Sequence, residues 1–443
     1  MQTAPPLCAP LFLSSPLAQQ HSQTDSVEYD IHDTCSCDTK CASPDDILSF
    51  VNSAEPRLMQ TPPSESTGSR AVIDRIPRPL AAKGARILPS FVFDIDGVFK
   101  SGARYSKYGA DTLLRVARAR IPCVFMTNGG GGRTEEQYAA ELKKKVCAAA
   151  EDVKTTPGDL AIDARQMVLS YTPFKSDFDH LKSHRVLIVG CPEALLVARH
   201  YGFKKAVHIE DYSRDNPLLN PFSLRSGHGK DGPPPSAEGK KMNRQDEGFK
   251  AVFIFTDPND FFEALQILTD VLLSSRPSQV EYEKSHRIPV IFSAGDLLWK
   301  SQHAYPRFGQ GAFRMTLETV YRARMESLNI PEREIKERLG SFIQYGKPET
   351  VQFSHARRAA LRQAERLGCT ISKFYMIGDN PSSDAAGTVA MDNVAQKKGQ
   401  ERWSAILVST GIWSPGDDPM GAEDVFSHVG EAVDFILRRH NLQ

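Results

Sequence analysis

The sequence predicts an α/β protein: a doubly wound parallel sheet interrupted by a smaller inserted α/β domain. Three observations predict it. Short apolar runs alternate with helical periodicities from Ile87 onward. The runs are continuously apolar rather than alternating, as strands covered on both faces require. Polar and Gly-rich clusters follow several of the runs directly, where open α/β sheets gather ligands beyond their strands' carboxyl ends.

The bulk numbers agree with a globular chain. Its 443 residues suffice for two or three domains with real cores. Lys and Arg number 54, as do Asp and Glu, so net charge gives no bulk attraction to nucleic acid or to an anionic membrane. No apolar run approaches the roughly 18 residues that span a bilayer. Of the eight cysteines, Cys123, Cys147, Cys191 and Cys369 read as reduced residues of an intracellular protein. Cys35, Cys37 and Cys41 lack the second paired half that a zinc site needs.

Residues 1–85 read as a disordered tail, rich in Pro, Ser, Thr and Gln. The first 55 residues hold one Lys and eight acids, which opposes a mitochondrial presequence there. From Met59 to Arg86 the balance reverses, with Arg70, Arg75, Arg78, Lys83 and Arg86 against Glu65 and Asp74. That stretch suits a matrix-targeting peptide, or else a basic linker. A mitochondrial location is expected if it targets, a cytoplasmic one if it does not.

The ordered chain begins with a buried strand over 90–93. A helix over 109–120, a strand over 123–126 and a helix over 133–150 follow. These place a first core segment at 86–162. An inserted domain is expected over 163–335, opening at Met167. It has strands at 185–189, 206–209, 251–255 and 289–292, and helices at 192–201 and 312–328. Asp257 is expected to cap a further helix, with Pro258 in its first turn and its end near Leu273. The Pro-rich stretch 214–248 reads as a disordered loop. The core resumes over 336–443 with a helix at 351–367, strands at 373–377 and 405–408, and a last helix at 429–438.

Four of these junctions carry chemistry: Asp94-Ile95-Asp96-Gly97, Thr127-Asn128-Gly129, Gly346-Lys347-Pro348, and Gly378-Asp379 with Asp384. Alone, the first would also suit an acidic turn or a calcium loop, but 97–102 lacks the further ligands. Together they suit phosphoryl transfer. Asp94, Asp379 and the Asp96 carbonyl offer oxygens to Mg²⁺, with Asp384 supporting that shell. Asp94 is placed to attack phosphorus, and Asp96 to protonate the leaving oxygen and then activate water. Thr127, Asn128 and Gly129 are placed to hold phosphate oxygens, and Lys347 to offset developing negative charge.

In order and kind, these four motifs resemble those of the haloacid dehalogenase superfamily, in its phosphatase-type members, which keep the second aspartate. The 220 residues between Thr127 and Lys347 (347 − 127) match where subfamily IIA inserts its α/β cap of type C2. Asp296-Leu297-Leu298-Trp299, Phe308-Gly309-Gln310-Gly311-Ala312-Phe313 and Gly378-Asp379-Asn380-Pro381 look like the cat eye syndrome critical region branch. The resemblance implies a Rossmannoid core with a C2 cap. It also implies a Mg²⁺-dependent phosphatase of a small phosphorylated metabolite, acting through an aspartyl-phosphate and loosely tied to mitochondrial glycerophospholipid metabolism. A homodimer through the cap stays open. So do two rival functions: a fold retained as a weakly active or inactive mitochondrial scaffold, and a phosphomutase. Gly129 to Gly132 and the 214–248 stretch depart from the usual subfamily pattern.

Overall fold

Strand β1 (Arg86–Phe93) has Phe91, Val92 and Phe93 wholly buried, as its unbroken apolar run requires. The computed structural model describes residues 85–150, 154, 156–160, 162–220, 248–303 and 305–442. The expectations for 1–84 and for 221–247 lie outside them.

After β1 a small flap of two strands, β2 (Lys100–Ser101) and β3 (Arg104–Tyr105), precedes a helix over Tyr108–Arg118. Strand β4 (Cys123–Met126) leads to a helix over Glu135–Ala148. That helix starts in a capping box: Thr134 accepts from the Gln137 N–H, and the Gln137 side chain accepts from the Thr134 N–H. Strand β5 (Met167–Val168) follows. The next strands are β6 (Arg185–Val189), β7 (Lys205–His208), β8 (Ala251–Ile254) and β9 (Val290–Phe292). A hairpin of β10 (Leu298–Trp299) and β11 (Arg307–Phe308) comes next, then β12 (Phe342–Gln344). Strands β13 (Cys369–Gly378), β14 (Arg402–Val408) and β15 (Asp424–Phe426) complete the set.

Two parallel sheets result. The larger runs β15-β14-β13-β1-β4-β5 and the smaller β12-β9-β8-β6-β7. Helices over Thr350–Leu367 and Ala386–Lys397 pack together, as do those over Tyr108–Arg118 and Val429–Arg439. The chain leaves β1 toward β4 on one side and returns through β13 on the other. β1 is therefore the switch point, and its carboxyl end faces the crevice where such sheets bind ligands.

Sheet membership corrects several expected boundaries. Met167 and Val168 pair with Phe125 and Met126, so they close the large sheet rather than open the inserted domain. Phe342 to Gln344 pair with Val290 to Phe292, so the small sheet runs past residue 335. A two- or three-residue strand takes its sheet from its partners, which local sequence does not name. Arg214 and Asp215 close a helix over Ile209–Asp215, and Leu219 is buried, so the expected loop starts later than 214. Asp260, not Asp257, caps the helix over Phe261–Leu273 and accepts from the Glu263 N–H.

Candidate active site

Three adjacent strands of the large sheet deliver the polar residues. Asp94 follows β1, Asp379 follows β13 and Thr127 follows β4, at the same edge. Neighbouring strands lie about 4.8 Å apart, so their first residues past the edge share one small space. The register holds beyond the strands: the Asp94 N–H donates to the Ile377 carbonyl at 2.8 Å, and the Thr127 N–H to Val168 at 3.1 Å. Lys347 arrives from beyond β12 and reaches between two acids. Its Nζ lies 2.8 Å from Asp94 Oδ1 and 2.6 Å from Asp384 Oδ1.

Asp384 sits in a π-helical turn, Pro381–Ala385. Its other oxygen accepts the N–H groups of Asp379 and Asn380, each at 3.1 Å. Asp379 Oδ2 accepts from the Ile412 N–H at 2.8 Å. Two glycines let the chain close around that carboxylate. A Cβ on Gly97, whose φ is +81°, would meet it at 2.2 Å, and one on Gly411 at 1.8 Å.

The carboxylates of Asp94, Asp379 and Asp384 present ligand atoms within 4.8 Å of one another, all buried. Burial pushes the Asp94 carboxyl well above its ordinary value; Lys347 opposes this, while Asp384 and Asp379 add to it. Burial and Asp384 push Asp379 up to about 7. Burial alone would lower the Lys347 ammonium, but Asp384, Asp94 and Asp296 outweigh it and raise its pKa. Once ionised, three carboxylates against one ammonium would leave two negative charges uncompensated (3 − 1). That deficit and the all-oxygen donor set fit a hard divalent cation.

Asp96 stands apart from that cluster. Its Oδ1 lies 2.8 Å from Lys100 Nζ on the flap. Its Oδ2 faces Gly129, where an added Cβ would stand 3.3 Å away. The Thr127 hydroxyl accepts from the Gly129 N–H at 2.9 Å. Asn128 acts as a tie. It accepts the Lys347 N–H at 2.7 Å, and it donates to the Lys347 carbonyl and to Asp296, each at 2.8 Å. All of these residues line one cavity of about 270 Å³.

The family profile described as haloacid dehalogenase-like hydrolase matches residues 91–204. A mitochondrial hydrolase of Saccharomyces cerevisiae is 31% identical over 380 residues, covering 78% of this chain and 95% of that one. The chain belongs to the haloacid dehalogenase-like hydrolases. A fusion of cardiolipin synthase with a mitochondrial hydrolase in Schizosaccharomyces pombe is 30% identical. That match covers 79% of this chain and 53% of the fusion. Among solved structures, the chain is similar to a hypothetical protein of Pyrococcus horikoshii. The identity is 18% and the TM-score 0.47, over 79% of this chain and 100% of that one.

The cavity of this hydrolase gathers Asp94, Asp96, Thr127, Asn128, Gly129, Lys347 and Asp379, with Asp384 beneath them. Sequence reasoning left out Lys100, Arg133, Asp257, Asp296 and Trp299, which also line it. From sequence, Asp257 suits either substrate selection or, more readily, a helix cap, yet Asp260 three residues on fills the capping role. Burial pushes Asp257, and likewise Asp296, up to about 6. A second acid just before the helix was the signal that freed Asp257 for another task. Lys100 carried no signal, since a lone lysine after a glycine turn is ordinary.

Proposed function

We propose that this hydrolase is a Mg²⁺-dependent phosphatase of small phosphorylated molecules. The observation that carries the reading is the buried Asp94 carboxylate, held by Lys347 and flanked by Asp379 and Asp384 at the floor of a cavity. Asp94, Asp379 and the Asp96 carbonyl would hold the cation, with Asp384 bracing Lys347 and the loop of Asp379. When bound, Mg²⁺ supplies charge that lets an anionic nucleophile approach an anionic phosphate.

In the first half-reaction an Asp94 oxygen bonds to phosphorus as the P–O bond to the leaving alcohol breaks. Asp96 gives that oxygen its proton. In the second, Asp96 takes a proton from water, the water oxygen bonds to phosphorus, and Asp94 leaves as a carboxylate. Thr127 and Gly129 border the phosphate position, and Lys347 balances charge at Asp94 throughout. Asp257 and Asp296 present acceptors to the leaving group, which favours one that bears hydroxyls or an amine over a second anion.

A phosphate-release screen over many metabolites with Mg²⁺ tests the reading. Asp94→Asn and Asp96→Asn should each lose at least about 10²-fold in rate while staying folded. A folded, metal-binding wild type that releases phosphate from nothing would sink it. We also propose a mitochondrial location, supported by the two relatives named as mitochondrial hydrolases and by the basic stretch after Met59. A tagged chain starting at Met59 that stays wholly cytosolic would count against it. The fusion of one relative to cardiolipin synthase supports placing the substrate in glycerophospholipid chemistry.

A further inference from the structure

The β10–β11 hairpin stands at the mouth of the cavity, with Leu298, Trp299 and Lys300 forming part of its wall. Its other large side chains turn to solvent. Tyr305 is 73% exposed and Phe308 68%, beside Leu297 at 47%. Leu298 and Phe308 are direct cross-strand partners, so two exposed apolar side chains share one face. Residues 297–308 include Lys300, His303 and Arg307 and no Asp or Glu. Exposed Arg307 has no ion-pair partner among the described residues. Opposite the hairpin, the flap brings Gly102 against Gln302, and Arg104 on β3 is exposed. Together these give the hairpin and flap beside the cleft a basic, aromatic outer rim.

We propose that this rim seats the cleft mouth on an anionic lipid surface. The composition is that of interfacial segments: Trp, Tyr and Phe at the depth of the headgroups, and Arg or Lys against anionic phosphates. Charge complementarity is local, which reconciles it with a chain of zero net charge. A second copy of the chain is the competing occupant. Stable interfaces use about 20–30 residues a side, and a projecting hairpin with two-residue strands offers far fewer. A membrane requires only that a few side chains insert. Docked this way, the cleft would draw its ester from the interface, so lipid-borne phosphomonoesters become reachable. That last step rests on the phosphatase reading; the docking itself does not.

The test is flotation of the full-length protein with phosphatidylcholine vesicles, plain or containing about 30% phosphatidylglycerol as the anionic lipid. The protein should float with the anionic vesicles at low salt and not with the plain ones. Phe308→Ser with Tyr305→Ser, and separately Arg307→Glu, should each weaken binding about tenfold or more, with melting temperature unchanged. Comparing variants inside the full chain isolates the hairpin from the basic stretch after Met59. Phosphate release from a water-soluble ester should be the same in the Phe308/Tyr305 variant as in wild type, so loss of docking is read apart from loss of turnover. Three outcomes would overturn the proposal. These are no flotation of the wild type with anionic vesicles, flotation indifferent to the hairpin substitutions, or substitutions that only convert a dimer to a monomer on a sizing column.

Discussion

Asp379 is an acid that the fold makes reluctant to ionise, held up to about 7 by burial and by Asp384 against an ordinary 3.8. The consequence has a definite sign. Between those two values the folded chain keeps a proton that the unfolded chain has released, so stability falls as pH rises. Asp379 should therefore contribute progressively less stability to metal-free protein from about pH 4 to about 7, and Asp94, raised for the same reason, adds to that slope. Millimolar Mg²⁺ should restore the loss at pH 7 by binding the ionised carboxylates. Asp379→Asn should flatten the slope and abolish the Mg²⁺ shift. Thermal melts in chelator and in Mg²⁺ read all three. At Asp257 the effect belongs to the substrate. If Asp257 accepts from the leaving group as proposed, Asp257→Asn should raise KM for the preferred ester about tenfold, with kcat nearly unchanged, because a charged acceptor is lost from the cavity wall.

Among the elements, the loop after β4 does more than the sequence suggests. Asn128 spends its whole amide on Lys347 and Asp296, which belong to segments 219 and 168 residues away. Asn128→Ala leaves the Lys347 N–H, its carbonyl and an Asp296 oxygen without that partner, and should cost about 1–3 kcal/mol of stability in denaturant titration. Turnover should fall as well, since Lys347 loses its backbone anchor. The strand-ending motifs were legible because their chemistry is abrupt: an apolar run stops and an aspartate or threonine follows. The helix start at Asp260 was misread because Asp257-Pro258 and Asp260 both satisfy the local rules for a first turn. Only the path of the backbone chooses between them. The short helix over Glu332–Leu339 and the β10–β11 hairpin gave too few residues for a period to show.

At the scale of the molecule, one face of the small sheet shares an apolar core with the large sheet, while its other face packs a second cluster around Val252, Ile254 and Val290. Residues of β1, β4 and β13 and of β6 and β8 belong to the same buried cluster. An aromatic cluster packs the segment after β5 against the small sheet. Fully buried Phe174 stacks its edges against Phe178, Phe253, Phe255 and Tyr345, with ring centroids 5.2–5.7 Å apart. Phe174→Ala should therefore cost about 3–5 kcal/mol and lower a single cooperative transition rather than split it. Calorimetry showing two separate transitions in the variant would overturn the shared core and make Phe174 the contact that couples the sheets.

The parallel α/β fold was legible in the sequence residue by residue, because buried strands and amphipathic helices write their periods locally. The sequence also singled out eight candidate site residues, most of them where an apolar run gives way to polar chemistry, and the fold brings these together. Tertiary structure alone decided which sheet took β5 and β12, since strands of two or three residues are defined by their partners. It alone brought Lys347 between Asp94 and Asp384, and freed Asp257 to line the cavity. Contacts across 253 residues between Asp94 and Lys347 (347 − 94) depend on how the sheets pack, and no local rule reaches that far.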